Sequence, residues 1–308
     1  MNTSSTVTPK VDLSAFLTIM SSLKLGISSI GMALNLLVVT SAILKLVDME
    51  LSMILLLNLS IADIFMAINM QLEYFVDEMQ YLHTAPRYQG IICSILKDLD
   101  IYWVGVLNNI ITMVYISFLR TSIFVNSENC QHQALSKRRV IIFLTLLWFI
   151  SFGLLSPNSF IFELDEVKGC WTRYRKFYTI YGGVLGFITF MVAVIILVVN
   201  FVRALLVIRK GRNLSQSVLS TQGKKITNIF FNLLVIYILV YTPNAIKLIL
   251  KGANILDDSE NIIIIHTTNT ICLITTITDP VIYFFCCKSF RESLRHRITS
   301  GISSGQSS

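Results

Sequence analysis

Charge is scarce in this chain. Asp, Glu, Lys and Arg make up 14% of its 308 residues, against about a quarter in soluble domains. No internal repeat occurs, and no low-complexity tract beyond the short Ser/Gly-rich run from Ser300 to Ser308. No nucleophile–base pattern and no metal-ligand spacing is present, which argues against an enzyme. Paired half-repeats and a ladder of intramembrane charges are also missing, which weighs against a transporter or channel. The opening MNTSSTVTPKVD is polar and lacks the basic start and short apolar core of a cleaved signal peptide, so the first apolar segment is expected to serve as the targeting signal.

What the chain has in excess is apolar surface. Hydrophobic residues reach 54% and the mean hydropathy is +0.69. A water-soluble fold of this length has no interior large enough for that, so lipid is the expected solvent for much of the surface. A spanning helix needs about 20 apolar residues. Seven such stretches are read: Leu13–Leu44, Leu51–Leu72, Gly90–Val125, Val140–Ile161, Phe177–Ile208, Ile226–Leu250 and Asn261–Cys287. A short amphipathic piece, Lys288 to Ile298, is expected to lie along the membrane surface, with Phe290 and Leu294 on one face and its arginines elsewhere. The expected fold is an all-α membrane protein, a seven-transmembrane bundle with a short C-terminal surface helix. Its expected divisions are an extracellular N-terminus (1–12), the bundle (13–287), and a cytoplasmic surface helix with a disordered tail (288–308).

Loop charge sets the orientation. With the N-terminus outside, the inner segments hold Lys45, Lys137–Arg139, Arg209, Lys210, Arg212, Lys224, Lys225 and the basic residues after Lys288. The outer segments hold roughly half as many basic residues and most of the acids. The net charge of +7 therefore reads as cytoplasmic loops facing anionic lipid, not as nucleic-acid binding. Asn2-Thr3-Ser4 is a glycosylation acceptor triplet on the expected outer side, and Asn213-Leu214-Ser215 is a second triplet on the inner side.

Ionisable groups inside spans are costly and are functional candidates by default. Asp63 lies mid-span in LNLSIADIFMA, Asp279 lies in TDPVIYFF, Arg120 ends the third span, and Asn35 interrupts the first. The alternative is that they hold helices together by hydrogen bonds worth about 1 kcal/mol or less. Pro243 in VYTPNAIK and Pro280 in TDPVIY remove backbone donors from spans six and seven, making kinks that are either static or hinges.

The spacing of Asn35, Leu59 with Ala62-Asp63, Trp148 and Asp279-Pro280-Val281-Ile282-Tyr283, with Phe290 after them, resembles the signature of rhodopsin-like G-protein-coupled receptors across essentially the whole chain. The resemblance implies an extracellular disulfide between Cys93 and Cys170. It implies a sodium-and-water pocket at Asp63, Asn109 and Asp279, for which the alternative is a protonated Asp63. It also implies an activation switch built on Arg120, Tyr241, Pro243, Asp279, Pro280 and Tyr283. A heterotrimeric G protein, arrestin, a receptor kinase and the plasma membrane are the partners and place that it implies. The inner Ser/Thr cluster from Ser215 to Thr221 and in the tail would then be phosphorylated, or would be only a solvated loop and tail. The chain departs from the family in reading Leu119-Arg120-Thr121 at the end of span three and Val240-Tyr241-Thr242-Pro243 in span six, and in lacking a proline in span five. No acid stands beside Arg120 or at Gly223-Lys224-Lys225, so raised ligand-free signalling is expected.

The expected ligand pocket holds Tyr102, Trp103, Tyr178, Tyr181, Tyr241, Lys247, His266 and Asn269, aromatic walls with polar anchors suited to a small molecule or a peptide tip. Ordinary helix packing is the competing reading for each aromatic. Amine receptors of the family carry an Asp where this chain has Tyr102, and opsins need a lysine within span seven, where this chain has none. An acidic outer rim (Asp77, Glu78, Asp98, Asp100, Asp257, Asp258) favours a cationic ligand, unless it is only a solvated face. A non-signalling heptahelical scavenger or partner subunit remains the alternative function, with a transporter behind it.

Overall fold

A computed structural model describes residues 13–44, 51–80, 101–125, 136–155, 162–165, 169–172, 175–211, 235–247, 249–250, 253, 255 and 262–286. Apolar segments placed in lipid must satisfy every backbone donor and acceptor internally, and the helix is the local way to do so. The helices are α1 (Leu13–Ile43), α2 (Leu51–Gln80), α3 (Ile101–Val125), α4 (Lys137–Leu155) and α5 (Arg175–Gly211). They continue with α6 over 235–247, α7 (Ile262–Leu273) and α8 (Thr275–Cys286), the last two forming the seventh span. Between α4 and α5 a two-stranded antiparallel hairpin pairs β1 (Phe162–Asp165) with β2 (Gly169–Thr172), Leu164 opposite Cys170. The hairpin is a small addition to an otherwise all-α bundle. The fourth span was expected to run from Val140 to Ile161; its helix is described over Lys137–Leu155, and the stretch from 156 to 161 lies outside the described residues.

Five of these helices are long and apolar enough to cross a membrane by themselves: α1, α4, and the stretches 53–75, 102–119 and 180–203 of α2, α3 and α5. Burial sorts them. Of the apolar window, 72% is buried in α2 but only 17% in α5, so α2 is the hub and α5 is peripheral. α5 turns Ile180, Val184, Ile188, Val192 and Ile195 outward, a surface that only lipid solvates without penalty. α2 packs on α1, α3, α4 and α8, while α3 also meets α4 and α5. Two apolar clusters fill the interior. One joins Val38, Leu55, Leu59, Ile116, Leu119, Val140 and Leu144 across α1 to α4. The other joins Met66, Met70, Tyr102, Val106, Leu197, Tyr237, Tyr241 and Leu273 across α2, α3, α5, α6 and α7.

The seventh span was expected to be kinked by Pro280, and its helix is broken further upstream, at Ile274. Ile274 N donates to Ile271 O at 3.1 Å and Ile277 N to Ile274 O at 3.0 Å, bonds that span three residues instead of four. The hydroxyls of Thr275 and Thr276 bond Cys272 O and Leu273 O, each at 2.7 Å, and compete for carbonyls of the preceding turn. Downstream, Pro280 has no N–H to give to Thr276 O. That carbonyl is taken across the bundle by Asn35 Nδ2 at 2.7 Å.

Candidate functional site

The middle of the bundle holds a polar knot in apolar surroundings. Asn109 on α3 donates through Nδ2 to Asp63 Oδ1 at 2.6 Å. Asn35 on α1 lies beside Asp63, and the Asp63 and Asp279 carboxyls are near enough to act on each other. All four side chains are buried. Asp63 Oδ2, Asn109 Oδ1 and Asp279 Oδ1 have no hydrogen-bond partner among the described residues. Orphaned buried acceptors are expensive, so the knot calls for a proton or a cation. With Asn35 Oδ1, which is also unpartnered among the described residues, these buried oxygens suit a hard cation such as sodium. The sequence brought Asp63, Asn109 and Asp279 under suspicion, and the fold gathers them.

A second relay ties α4 to α2 and α3. Trp148 Nε1 donates to Asn58 Oδ1 at 2.9 Å, and Asn58 Nδ2 donates to Thr112 Oγ1 at 2.8 Å. Phe65 packs on the same indole with ring centroids 5.1 Å apart. Trp148 stood out in the sequence, but Asn58 and Thr112 did not. A polar pair on two different helices leaves no pattern in one chain until the helices meet.

The end of the bundle bearing the hairpin gathers most of the expected ligand pocket. Tyr102 and Trp103 meet edge to face at 5.4 Å. The Tyr102 hydroxyl donates to Asn269 O at 3.3 Å. Lys247 Nζ donates to Asn269 Oδ1 at 2.7 Å and stands 5.6 Å over the Trp103 ring, a cation–π distance. Lys24 Nζ lies 3.0 Å from His266 Nδ1. Phe190 stacks on Tyr237 at 5.8 Å, and Tyr237 meets Tyr241 at 5.0 Å, so Tyr241 is anchored in an aromatic column between α5 and α6. Tyr181 sits apart from this group, donating its hydroxyl to Leu154 O of α4 at 2.7 Å. Lys24 escaped the sequence reading, although a lone cation inside a 31-residue apolar helix was signal enough.

At the opposite end, Arg120 lies in the last turns of α3. Leu119 is buried in the apolar cluster with Val38, Ile54 and Val140. Thr121 Oγ1 donates to Ser117 O at 3.0 Å and contacts Asn200 O at 3.4 Å, and Asn200 Nδ2 donates to Ser117 Oγ at 3.2 Å. The residues flanking Arg120 are therefore committed to packing and to a polar latch onto α5. Pro243 is half-buried in α6, and the next residue, Asn244, is buried with its Oδ1 unpartnered among the described residues. Pro280 is buried in α8. Asn2, Cys93, the Asp98–Asp100 and Asp257–Asp258 parts of the acidic rim, Phe290 and the surface helix fall outside the described residues, as do the side chains of Asp77, Glu78, Arg120, Cys170, Tyr178 and Tyr283.

No curated protein sequence matches the chain. A family model does, the 7 transmembrane receptor (rhodopsin family), over residues 34–283, from the start of the polar knot to the tyrosine of Asp-Pro-Val-Ile-Tyr. The match takes in the α1, α2, α3 and α8 residues of the knot, the Trp148 relay and Arg120, and with it the chain belongs to the rhodopsin family of seven-transmembrane receptors.

Proposed function

We propose that this membrane receptor binds an extracellular ligand, a small molecule or a peptide tip, at the hairpin end of the bundle and activates a heterotrimeric G protein at the other. The observation that carries this reading is the polar knot. Asp63, Asn109, Asn35 and Asp279 link α1, α2, α3 and α8 through groups that are buried and incompletely satisfied. Such a centre is able to change its protons, ions and partners at small cost, which is what a switch between two ends requires. Sodium, if it enters, is held by Asp63, Asn109 and Asp279, and supplies the positive charge that lets the carboxylates stay ionised.

Arg120 is the G-protein contact in this reading, with Tyr241, Pro243, Pro280 and Tyr283 as the moving parts between it and the ligand. The plasma membrane is the setting, with the N-terminus outside, Asn2 glycosylated, and Cys93 joined to Cys170 across the mouth. The chain divides at 12/13 and 287/288, and arrestin and a receptor kinase act on its cytoplasmic Ser/Thr cluster. Leu119 packs in an apolar cluster where relatives of the resembled type carry an acid, which supports a weakly restrained Arg120 and raised basal signalling.

The test is G-protein activation by the expressed receptor without ligand, across the G-protein classes, with Arg120→Ala alongside. Activation above mock-transfected membranes that disappears in Arg120→Ala is the expected result. Surface-expressed receptor that activates no class, with or without ligand, would favour the non-signalling scavenger or partner role.

A further inference from the structure

The inner half of α5 meets the bundle along one stripe. Among its described side chains after Phe190, the buried ones are Ala193, Leu197 and Asn200, at the i, i+4, i+7 spacing of a single helix face. Ala193 and Leu197 pack in the apolar cluster with Val106 and Ile110 of α3, while Ile195, Val198, Val199 and Val202 turn outward. Lipid tails solvate aliphatic side chains as well as a neighbouring helix does, so the apolar part of the stripe gives α5 little preference for α3. Asn200 is different. A carboxamide left unpaired in hydrocarbon is costly, and a paired one ties α5 to α3 in one register.

The partners of Asn200 lie around Arg120. Asn200 Nδ2 donates to Ser117 Oγ at 3.2 Å, and Thr121 Oγ1 lies 3.0 Å from Ser117 O and 3.4 Å from Asn200 O. Ser117 and Thr121 are one turn apart on α3, and Arg120 stands in the turn between them. Ser117, Thr121 and Asn200 are all buried. A threonine hydroxyl has one hydrogen, so Thr121 cannot fully serve both carbonyls. One of them is in its own helix and the other is across the interface. Thr121 therefore keeps a partner when α5 draws away, and this half of the contact opens without stranding a donor. α5 is in turn joined to α6, where Phe190 stacks on Tyr237 at 5.8 Å. A displacement of α6 from α3 that takes α5 along pulls on the Asn200 contacts.

We propose that Asn200 is a positioning residue for Arg120. Its latch onto Ser117 and Thr121 holds α5 against the α3 turn that carries Arg120, keeps the receptor at rest in the place of the acid absent beside Arg120, and opens on activation. Hydrogen bonds between neutral groups are roughly half as strong as charge-assisted ones, so this restraint is weaker than an ion pair and ligand-free signalling persists under it. The proposal rests on reading Arg120 as the G-protein contact.

Two measurements on the full chain test it. The first is amide hydrogen exchange of the purified receptor in nanodiscs, with no G protein present. Thr121→Val removes the hydroxyl at nearly constant shape, Asn200→Leu removes the carboxamide, and Thr121→Ser keeps the hydroxyl. Thr121→Val and Asn200→Leu should each speed exchange at the inner ends of α3 and α5 about threefold, the weight of one hydrogen bond between membrane helices, and leave α1 and α2 unchanged. Thr121→Ser should keep most of the protection. The second is ligand-free G-protein activation at matched surface expression. It should rise about threefold in Thr121→Val and Asn200→Leu, rise little in Thr121→Ser, and vanish when Arg120→Ala is added. Faster exchange in all helices alike would reduce the latch to ordinary packing and overturn the proposal. Unchanged exchange at the two inner ends, or a fall in Arg120-dependent signalling, would overturn it as well. Local opening in a receptor that activates no G protein would remove the signalling reading and leave the hold of Asn200 on the Arg120 turn standing. Arg120-dependent signalling that neither Thr121→Val nor Asn200→Leu alters would do the reverse.

Discussion

At the scale of single residues, the most informative side chains are those that complete a partner on another helix. Asn58 accepts from Trp148 and donates to Thr112. Trp148→Phe keeps an aromatic ring against Phe65 but removes the N–H and part of the indole bulk, so it should cost about 1–3 kcal/mol of stability. Asn58→Leu should cost more, because it strands the indole N–H and changes the Thr112 contact as well. Unfolding midpoints of the two variants and of the double variant check this. Strictly additive losses would mean that the relay does not exist, since residues sharing one hydrogen bond couple. Asp63 gives a second prediction at this scale. Sodium chloride should raise the unfolding midpoint above that in choline chloride, and Asp63→Asn should abolish the difference. An Asp63→Asn variant that keeps the full sodium effect would exclude Asp63 as a ligand of the ion.

At the scale of helices, close approach is bought by the absence of a side chain. A Cβ on Gly105 would stand 2.5 Å from Met66 Cγ and 2.8 Å from Ala62 O, a backbone atom that cannot rotate away. Gly31 on α1 faces the Thr276 side chain in the same manner. Gly105→Ala should separate α2 from α3 and cost about 1–3 kcal/mol as overpacking, read as a lower unfolding midpoint and lower surface expression. It should also weaken the Asn109–Asp63 bond, which spans the same two helices, so the sodium-dependent part of the midpoint should shrink with it. The break in the seventh span belongs to this scale too. Pro280→Ala restores a donor for Thr276 O and sets it against Asn35 Nδ2. The expected outcome is a straighter, more stable seventh span with altered signalling. Unchanged basal and evoked signalling together with unchanged stability would mean that the break is only static.

At the scale of the molecule, the question is what holds the resting state. Leu119 is packed away among aliphatic side chains, and Thr121 is bonded to Ser117 and reaches Asn200. Neither neighbour offers Arg120 a counter-charge. The receptor should therefore show ligand-free signalling that Arg120→Ala removes, and Leu119→Asp should lower it by supplying the missing acid. A Leu119→Asp variant with normal surface expression and undiminished basal signalling would contradict this account.

Hydropathy, loop charge and the placement of Asn35, Asp63, Trp148 and Asp279–Tyr283 were legible in the sequence, because lipid imposes a length on each span and a cost on each polar exception. Those two constraints act on the chain locally, so the sequence by itself determined the seven-span bundle and most of the residues at its polar centre. It did not determine which polar groups would meet. Asn58 with Thr112, Asn200 with Ser117, and the inward turn of Lys24 toward His266 join residues 54 to 242 positions apart, and only helix packing brings them within hydrogen-bond reach. The break at Ile274 was hidden for a related reason: proline marks a missing donor in the sequence, but where the freed carbonyl finds its new partner depends on α1 lying alongside. The tertiary structure thus decided which groups meet at the hairpin end, since Lys24, Lys247, His266 and Asn269 become neighbours only when α1, α6 and α7 lie side by side.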